Sequence, residues 1–265
     1  MIIYQICIFK ELIKLSVMKM IEDLLKKIEA EKRVKVLYAC ETGSRAWGFP
    51  STDSDYDVRF IYRHERDWYL GLGERKDTIE SMQGDLDITG WDLRKSLKLL
   101  KKSNAPLIER FQSPIVYLDN DNFRDEFKQV IELYYSPTAV FYHHYSLAKK
   151  FWEDLRQKQR IKLKALFYLL RSLFSCNWII EEEAVVPMTI QELLVKADPP
   201  FHSEIVRLIA LKAGVDESYL HDFDKKMVEK IESFFLKIEV GTKGLPVSKE
   251  RGFGKLNEFF IGKLA

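Results

Sequence analysis

At 265 residues, the chain has room for one large domain or two small ones. Nearly half of its residues are hydrophobic and 13% are aromatic, which argues for a packed core and against disorder. A formal charge of +2 excludes a strongly basic coat for nucleic acid but leaves local basic patches open.

The opening segment MIIYQICIFKELIKLSV is interrupted by Lys10, Glu11 and Lys14, and it has neither a basic leader nor a small-residue cleavage site. It reads as an N-terminal extension over 1–17 rather than a signal peptide, and it is too short and too charged to span a bilayer. Met18 and Met20 are alternative starts. The spacing of Ile21, Leu24, Leu25 and Ile28 predicts a helix over 20–32. VKVLYAC then reads as a buried strand, ETGSRAWGFPSTDS as a loop and DYDVRFIY as a second strand. A short helix or loop at 64–75 precedes a third strand around 85–91. Asp92 is placed to cap the helix LRKSLKLLKK. Asn104 to Pro106 break it, and LIERFQSPIVYL supplies another short helix and an edge strand.

Beyond about residue 120 the character changes. Helical periodicity runs over 122–134, 137–157, 160–180, 189–197, 202–213 and 223–239, and a final short helix follows a Gly- and Lys-rich stretch. The expected class is α+β, with an N-terminal domain over 18–120 and an all-helical domain over 121–265. Cys7, Cys40 and Cys176 are widely spaced with no CxxC or Cys/His cluster. They read as reduced thiols of a cytoplasmic protein, with no zinc site and no disulfide framework.

The sharpest chemical signal is Gly43-Ser44 followed, ten residues on, by Asp55-Tyr56-Asp57. On a strand, Asp55, Asp57 and Arg59 share one face, while Tyr56, Val58 and Phe60 face the other way into a core. Two carboxylates one strand-step apart repel unless a cation lies between them. A hard divalent ion such as Mg²⁺ or Mn²⁺ accepts oxygen ligands of this kind while keeping phosphate oxygens in its shell. A glycine directly after a strand lets backbone approach phosphate closely, and the Ser44 hydroxyl adds a donor. Asp87, mid-strand in GDLDITGWD, is the expected third acid, ahead of Asp85 and Asp92.

TGSRAWGFPSTDSDYDVRFIY, LDITGWDLRKSLKLLKKSN and QSPIVY together resemble the YcgL-type, RlaP-like nucleotidyltransferases. This is the RNA repair pathway family within the DNA polymerase β superfamily. The resemblance is dense over about 37–118 and looser through HHYSLAKKFW and KLKALFYLLRSLFSCNWI. It implies a polymerase β-like mixed sheet flanked by helices, then a helical domain, and metal-dependent transfer of a nucleotidyl group from a nucleoside triphosphate. Asp55, Asp57 and Asp87 would hold the metals and do the chemistry, and Gly43 and Ser44 would hold the triphosphate. The acceptor implied is an RNA or tRNA end, with an RNA ligase as associate. The alternatives are AMP transfer to a protein hydroxyl, as in antitoxin-type members of the superfamily, and a binding module with a decayed site.

Further nucleotide-binding candidates are Arg45, Arg59, Lys164, Tyr168 and Arg171. Arg59 is equally placed to pair with Asp55 or Asp57. The last three lie at i, i+4, i+7 and would line one helix face. Trp47 reads as a cap on a core rather than a platform for a base. The basic run from Lys149 to Lys162 suits RNA phosphates, though such runs are more often solvated surface. Neighbouring His143 and His144 point apart on a helix and do not suit joint metal ligation. RGFGK lacks both the P-loop spacing and a preceding strand.

Overall fold

The computed structural model describes residues 2–197, 199–242 and 244–265, and side-chain surroundings for 15–197, 201–242 and 244–265. Cys7 lies outside the latter set; Cys40 and Cys176 are free and buried. In chain order, α1 (Ile2–Lys32) leads into β1 (Lys35–Thr42), α2 (Gly43–Trp47), β2 (Tyr56–Arg63), α3 (Arg66–Leu70), β3 (Thr78–Gln83), β4 (Leu86–Asp92), α4 (Leu93–Leu100), α5 (Ala105–Arg110) and β5 (Val116–Asp119). A 3₁₀ turn at Asn120–Asn122 precedes α6 (Phe123–Tyr134) and α7 (Pro137–Leu155). Then come β6 (Arg160–Lys162), α8 (Leu163–Glu182), α9 (Ile190–Leu194), α10 (Pro199–Lys212), β7 (Leu220–Asp222), α11 (Lys225–Gly241) and α12 (Gly254–Leu264).

The first five strands form one mixed sheet in the order β3-β4-β2-β1-β5. Only β2 and β4 run parallel; the other neighbours are antiparallel. On one face, Ile21, Leu25 and Ile28 of α1 pack with Val36, Val58, Phe60 and Ile88. A second cluster begins with Leu37, Tyr38, Cys40 and Ile61 of the sheet and runs without a break through α4 to α8 and on to Leu256. Burying apolar side chains on both faces holds β1 and β2 at the centre, where their ends are fixed for chemistry.

Local signals set several boundaries. Asp92 caps α4 by accepting from Arg94 N at 2.8 Å, and Asn104 caps α5 by accepting from Leu107 N at 3.0 Å. β5 is an edge strand, as the sequence leads one to expect. The third strand read around 85–91 is β4, but it forms a hairpin with β3, which the sequence hides. β3 is the other edge and none of its residues is buried, so TIESMQ carries no legible apolar alternation. The chain beyond residue 120 is helical except for β6 and β7, which pair as an antiparallel two-stranded ribbon. The all-helical expectation therefore needs that correction. Three-residue strands are too short to leave a periodic trace in the sequence. α8 is long and apolar enough to cross a membrane, yet 72% of that window is buried inside the protein, as befits a core helix.

Candidate active site

β1 does not stop at Cys40 but continues through Glu41 to Thr42, whose register partner is Asp57. The chain then turns at Gly43, with φ at +64°, into α2. A Cβ on Gly43 would lie 2.0 Å from Asp57 Oδ2, so glycine suits both the left-handed backbone at 43 and the close approach of the carboxylate, which any larger residue would turn aside. Gly48, at φ +87°, ends α2 and accepts a Gln191 side-chain bond at 3.0 Å on its carbonyl.

Asp57 on β2 and Asp87 on β4 are register partners in the parallel pair. Arg59 bridges them, reaching Asp57 Oδ1 at 3.0 Å and Asp87 Oδ2 at 2.7 Å. One face of the sheet thus carries both acids and the cation between them. Burial raises the Asp57 carboxyl above its usual range; Arg59 opposes the rise, and Asp87 and Asp55 add to it. Asp55 is exposed, one residue before β2 begins. Among the described residues, no group of three or more His, Cys, Asp and Glu is gathered as a metal site. Arg59 occupies the place between two of the three acids, so the acids do not converge on one another alone. The donor set still suits a hard cation: Arg59 engages one oxygen of each carboxylate, and the second oxygens and Asp55 are of the ligand type that Mg²⁺ or Mn²⁺ takes.

Glu41, expected in a loop from its sequence context, is instead fully buried beside this cluster. It accepts from Asp57 N at 2.6 Å and from the Tyr117 hydroxyl. Burial pushes its carboxyl up to about 7. It fixes the backbone that carries Asp57. A glutamate directly after an apolar, β-branched run was the available signal, since a strand that continues through a charged residue must give it partners.

The cleft above these residues has a volume of about 410 Å³ and is walled by α2, β2, α5, α7 and α8. Gly43, Asp57, Tyr168 and Arg171 line it together, so the helix-face expectation brings two of its three residues to the acids. Arg171 is buried, ion-paired with Glu109, and its guanidinium lies 4.6 Å from the Trp47 ring. Tyr168 meets Trp47 edge-on at 5.0 Å. Lys164 instead pairs with Glu217 at 2.6 Å. Arg45 is turned onto the Ser54 and Asp55 carbonyls and over the Tyr56 ring at 3.9 Å. The buried Ser44 hydroxyl donates to Ser54 Oγ at 3.1 Å. Of the basic run, Lys149, Lys150, Arg156, Lys158, Arg160 and Lys162 are all exposed.

Glu109, Arg110 and His144 also line the cleft, and no motif in the sequence assigns them to it. Arg110 is 4% exposed, lies 3.4 Å over the Trp91 ring, and burial lowers its pKa to about 9. His144 is buried, and burial, then Arg171 and His143, hold its pKa well below the usual value. His143 and His144 both line the cleft although they are adjacent on α7.

Comparison with known proteins adds to this geometry. A family model described as the RNA repair pathway DNA polymerase beta family matches residues 17–262. The uncharacterized protein YcgL of Bacillus subtilis (strain 168) is 38% identical over 242 residues, covering 90% of this chain and 93% of that protein. The uncharacterized protein MJ0002 of Methanocaldococcus jannaschii is 27% identical over 210 residues, covering 77% of this chain and 82% of that protein.

Proposed function

This chain belongs to the RNA repair pathway DNA polymerase beta family, and from that premise we propose that it is a metal-dependent nucleotidyltransferase. It moves a nucleoside monophosphate from a nucleoside triphosphate to an acceptor hydroxyl, and an RNA end is the acceptor that the family description favours. The observation that carries this reading is the packing of Gly43 against Asp57, with Asp87 in register beside it, at the wall of a cleft of ligand size.

Asp55, Asp57 and Asp87 would hold divalent magnesium or manganese, which would neutralise the phosphates and offset the charge developing on the leaving pyrophosphate. The Gly43 backbone, free of a Cβ, admits the triphosphate beside Asp57; the Ser44 hydroxyl would have to leave Ser54 Oγ to add a donor. Arg59 neutralises Asp57 and Asp87 when no other cation is present, which keeps the two acids together. Tyr168 and Arg171 face the nucleotide across the cleft. Asp87 accepts the proton of the acceptor hydroxyl as its oxygen bonds to the α-phosphorus and pyrophosphate departs.

The test incubates the protein with each labelled nucleoside triphosphate, magnesium and, separately, tRNA, nicked RNA or cell lysate. Label appearing in RNA, and reduced at least about a hundredfold in Asp57→Asn, is the expected result. Label in a protein band instead assigns the acceptor to protein. Nucleotide binding without any transfer, equal in wild type and Asp57→Asn, overturns the enzyme reading in favour of a binding module.

A further inference from the structure

At the end of the sheet away from the acids, a second hollow of about 660 Å³ opens where α1 leads into β1 and β2 leaves for α3. Lys35 pairs with Arg63 at this end of the sheet, and Thr42 with Asp57 at the other. The six strand steps from Asp57 to Arg63 span about 20 Å. The hollow shares no residue with the cleft assigned to the nucleotide.

Its charges are unpaired. Lys32, Arg33 and Arg75 line it together with Glu65 and Asp67. Among the described residues none of these five forms an ion pair, nor do Arg66 and Arg94, which extend the positive surface past α3. Nearby lysines do find acids: Lys27 meets Glu31, Lys35 meets Asp121 and Lys76 meets Glu80. A flat stack lines the same hollow, with the His64 and Trp68 rings 3.8 Å apart and 8° from parallel. Burial, and then Arg75, lower the His64 pKa, so that ring is neutral at pH 7. Arg75 and Arg94 stand 5.2 and 5.8 Å from the Trp68 ring centre, against 3.4 Å for Arg110 on Trp91. The Trp68 indole is therefore loosely covered, and it is only half-buried.

These groups discriminate among ligands. Unpaired cations attract phosphodiesters. A half-open indole takes an unpaired base on its π-face, whereas a duplex keeps its bases inside its own stack. Glu65 and Asp67 repel a bare polyanion but accept hydrogen bonds from ribose 2′-hydroxyls and base amino groups. We propose that this hollow binds a single-stranded segment of RNA and anchors the body of a strand whose end reaches the cleft. The anchoring role rests on the RNA-acceptor reading above; the binding itself needs neither metal nor nucleoside triphosphate.

The full chain, without magnesium or nucleoside triphosphate, is titrated by fluorescence anisotropy with an unstructured RNA of about twelve nucleotides, twice the roughly six stacked nucleotides that span 20 Å. Competitors are DNA of the same sequence, the RNA duplex and free ribonucleotides. The single RNA strand should bind most tightly. Trp68→Ala should weaken it about five- to a hundredfold. Arg75→Gln, at an exposed residue whose loss leaves the fold intact, should lower the slope of log affinity on log salt by about 0.7. Asp57→Asn, at the far end of the sheet, should leave binding unchanged. Affinity and salt slope unaltered by both hollow variants overturn the proposal, as does equal binding of DNA or duplex. Free ribonucleotides that bind as tightly as the strand assign the hollow to a small nucleotide and also overturn it. Trp68-dependent RNA binding with no label transferred to RNA sinks the RNA-acceptor reading and leaves the site standing; transfer to RNA without Trp68-dependent binding does the reverse.

Discussion

The sheet wall of the cleft and its helical wall treat charge in different ways. On the sheet, Asp57, Arg59 and Asp87 sit on neighbouring strands, and each charge faces an opposite one at hydrogen-bond distance. Strand register alone brings them together. On the helical wall, Arg171 of α8 reaches Glu109 of α5, and Arg110 and His144 are buried with unsatisfied nitrogens. Tertiary packing, not local geometry, assembles that wall. The sheet wall is therefore compensated before any ligand arrives, and the helical wall only in its Glu109–Arg171 pair, with Arg110 and His144 left over. A paired acid cluster can wait for a cation. Unpaired buried donors put stability at risk until something fills the space.

The largest test of this contrast is Arg171→Met. Removing one partner of a buried pair leaves Glu109 uncompensated, which costs about 3 kcal/mol. Chemical denaturation of the variant should show that loss at neutral pH, with the m-value unchanged. A loss under about 1 kcal/mol would mean the helical wall is as well solvated as the sheet wall.

The sheet wall is sharpened next by Glu41→Gln. Burial raises the Glu41 carboxyl from 4.5 to about 7. The folded protein thus holds a proton there that the unfolded chain has already lost between those values. Its contribution to stability is present below about pH 4.5 and falls as pH rises through 7. The glutamine variant lacks that term, so it should gain on wild type as pH increases, by about 3 kcal/mol at most above pH 7. Denaturation curves of both proteins at pH 5 and pH 8 measure the difference. Parallel curves would mean that Glu41 is ionised throughout.

Smaller again is Gly43→Ala. Its Cβ would meet Asp57 Oδ2 at 2.0 Å, on a backbone at φ +64°. About 1–3 kcal/mol of strain follows, and Asp57 must turn away to relieve it. Nucleotidyl transfer should fall further than the Tm shift alone explains. Full activity in folded Gly43→Ala would detach the glycine from the site.

The same contrast explains what could be read from the sequence. The packing of Gly43 beside Asp57 and the Asp92 cap follow from short-range spacing, and the main helices after residue 120 follow from periodicity, whereas Asp55 stays exposed ahead of β2. Asp87 needed only the assumption of a neighbouring strand. Glu41 was hidden because a charged residue after VKVLYAC looks like the end of a strand, when a tyrosine from β5 and the Asp57 amide make its burial tolerable. Arg110 left no local trace, and His144 showed only as one of an adjacent pair unsuited to joint metal ligation. A lone arginine after Glu109 and one of two adjacent histidines acquire meaning only when α5 and α7 close on the sheet. β3 escaped for the opposite reason: an exposed edge strand makes no demand on its side chains.

Lys164 is the case where periodicity gives direction but not partner. It shares a helix with Tyr168 and Arg171, yet its ammonium lies 2.6 Å from Glu217, with both side chains partly exposed. Water screens such a pair, so Lys164→Ala should cost no more than about 0.5–1 kcal/mol. The pair bears on nucleotide binding in another way. Glu217 N also donates to Asp53 Oδ1 at 3.0 Å, in the loop between Ser44 and Asp55. If Lys164 serves phosphate when nucleotide enters, it must leave Glu217 to do so. The alanine variant should then weaken nucleoside triphosphate binding by a factor well beyond its stability change, and by less at high salt than at low salt. Unchanged affinity at low salt would fix Lys164 as a strut between α8 and the Asp53 loop, leaving Tyr168 and Arg171 as the only members of that helix face to meet the nucleotide.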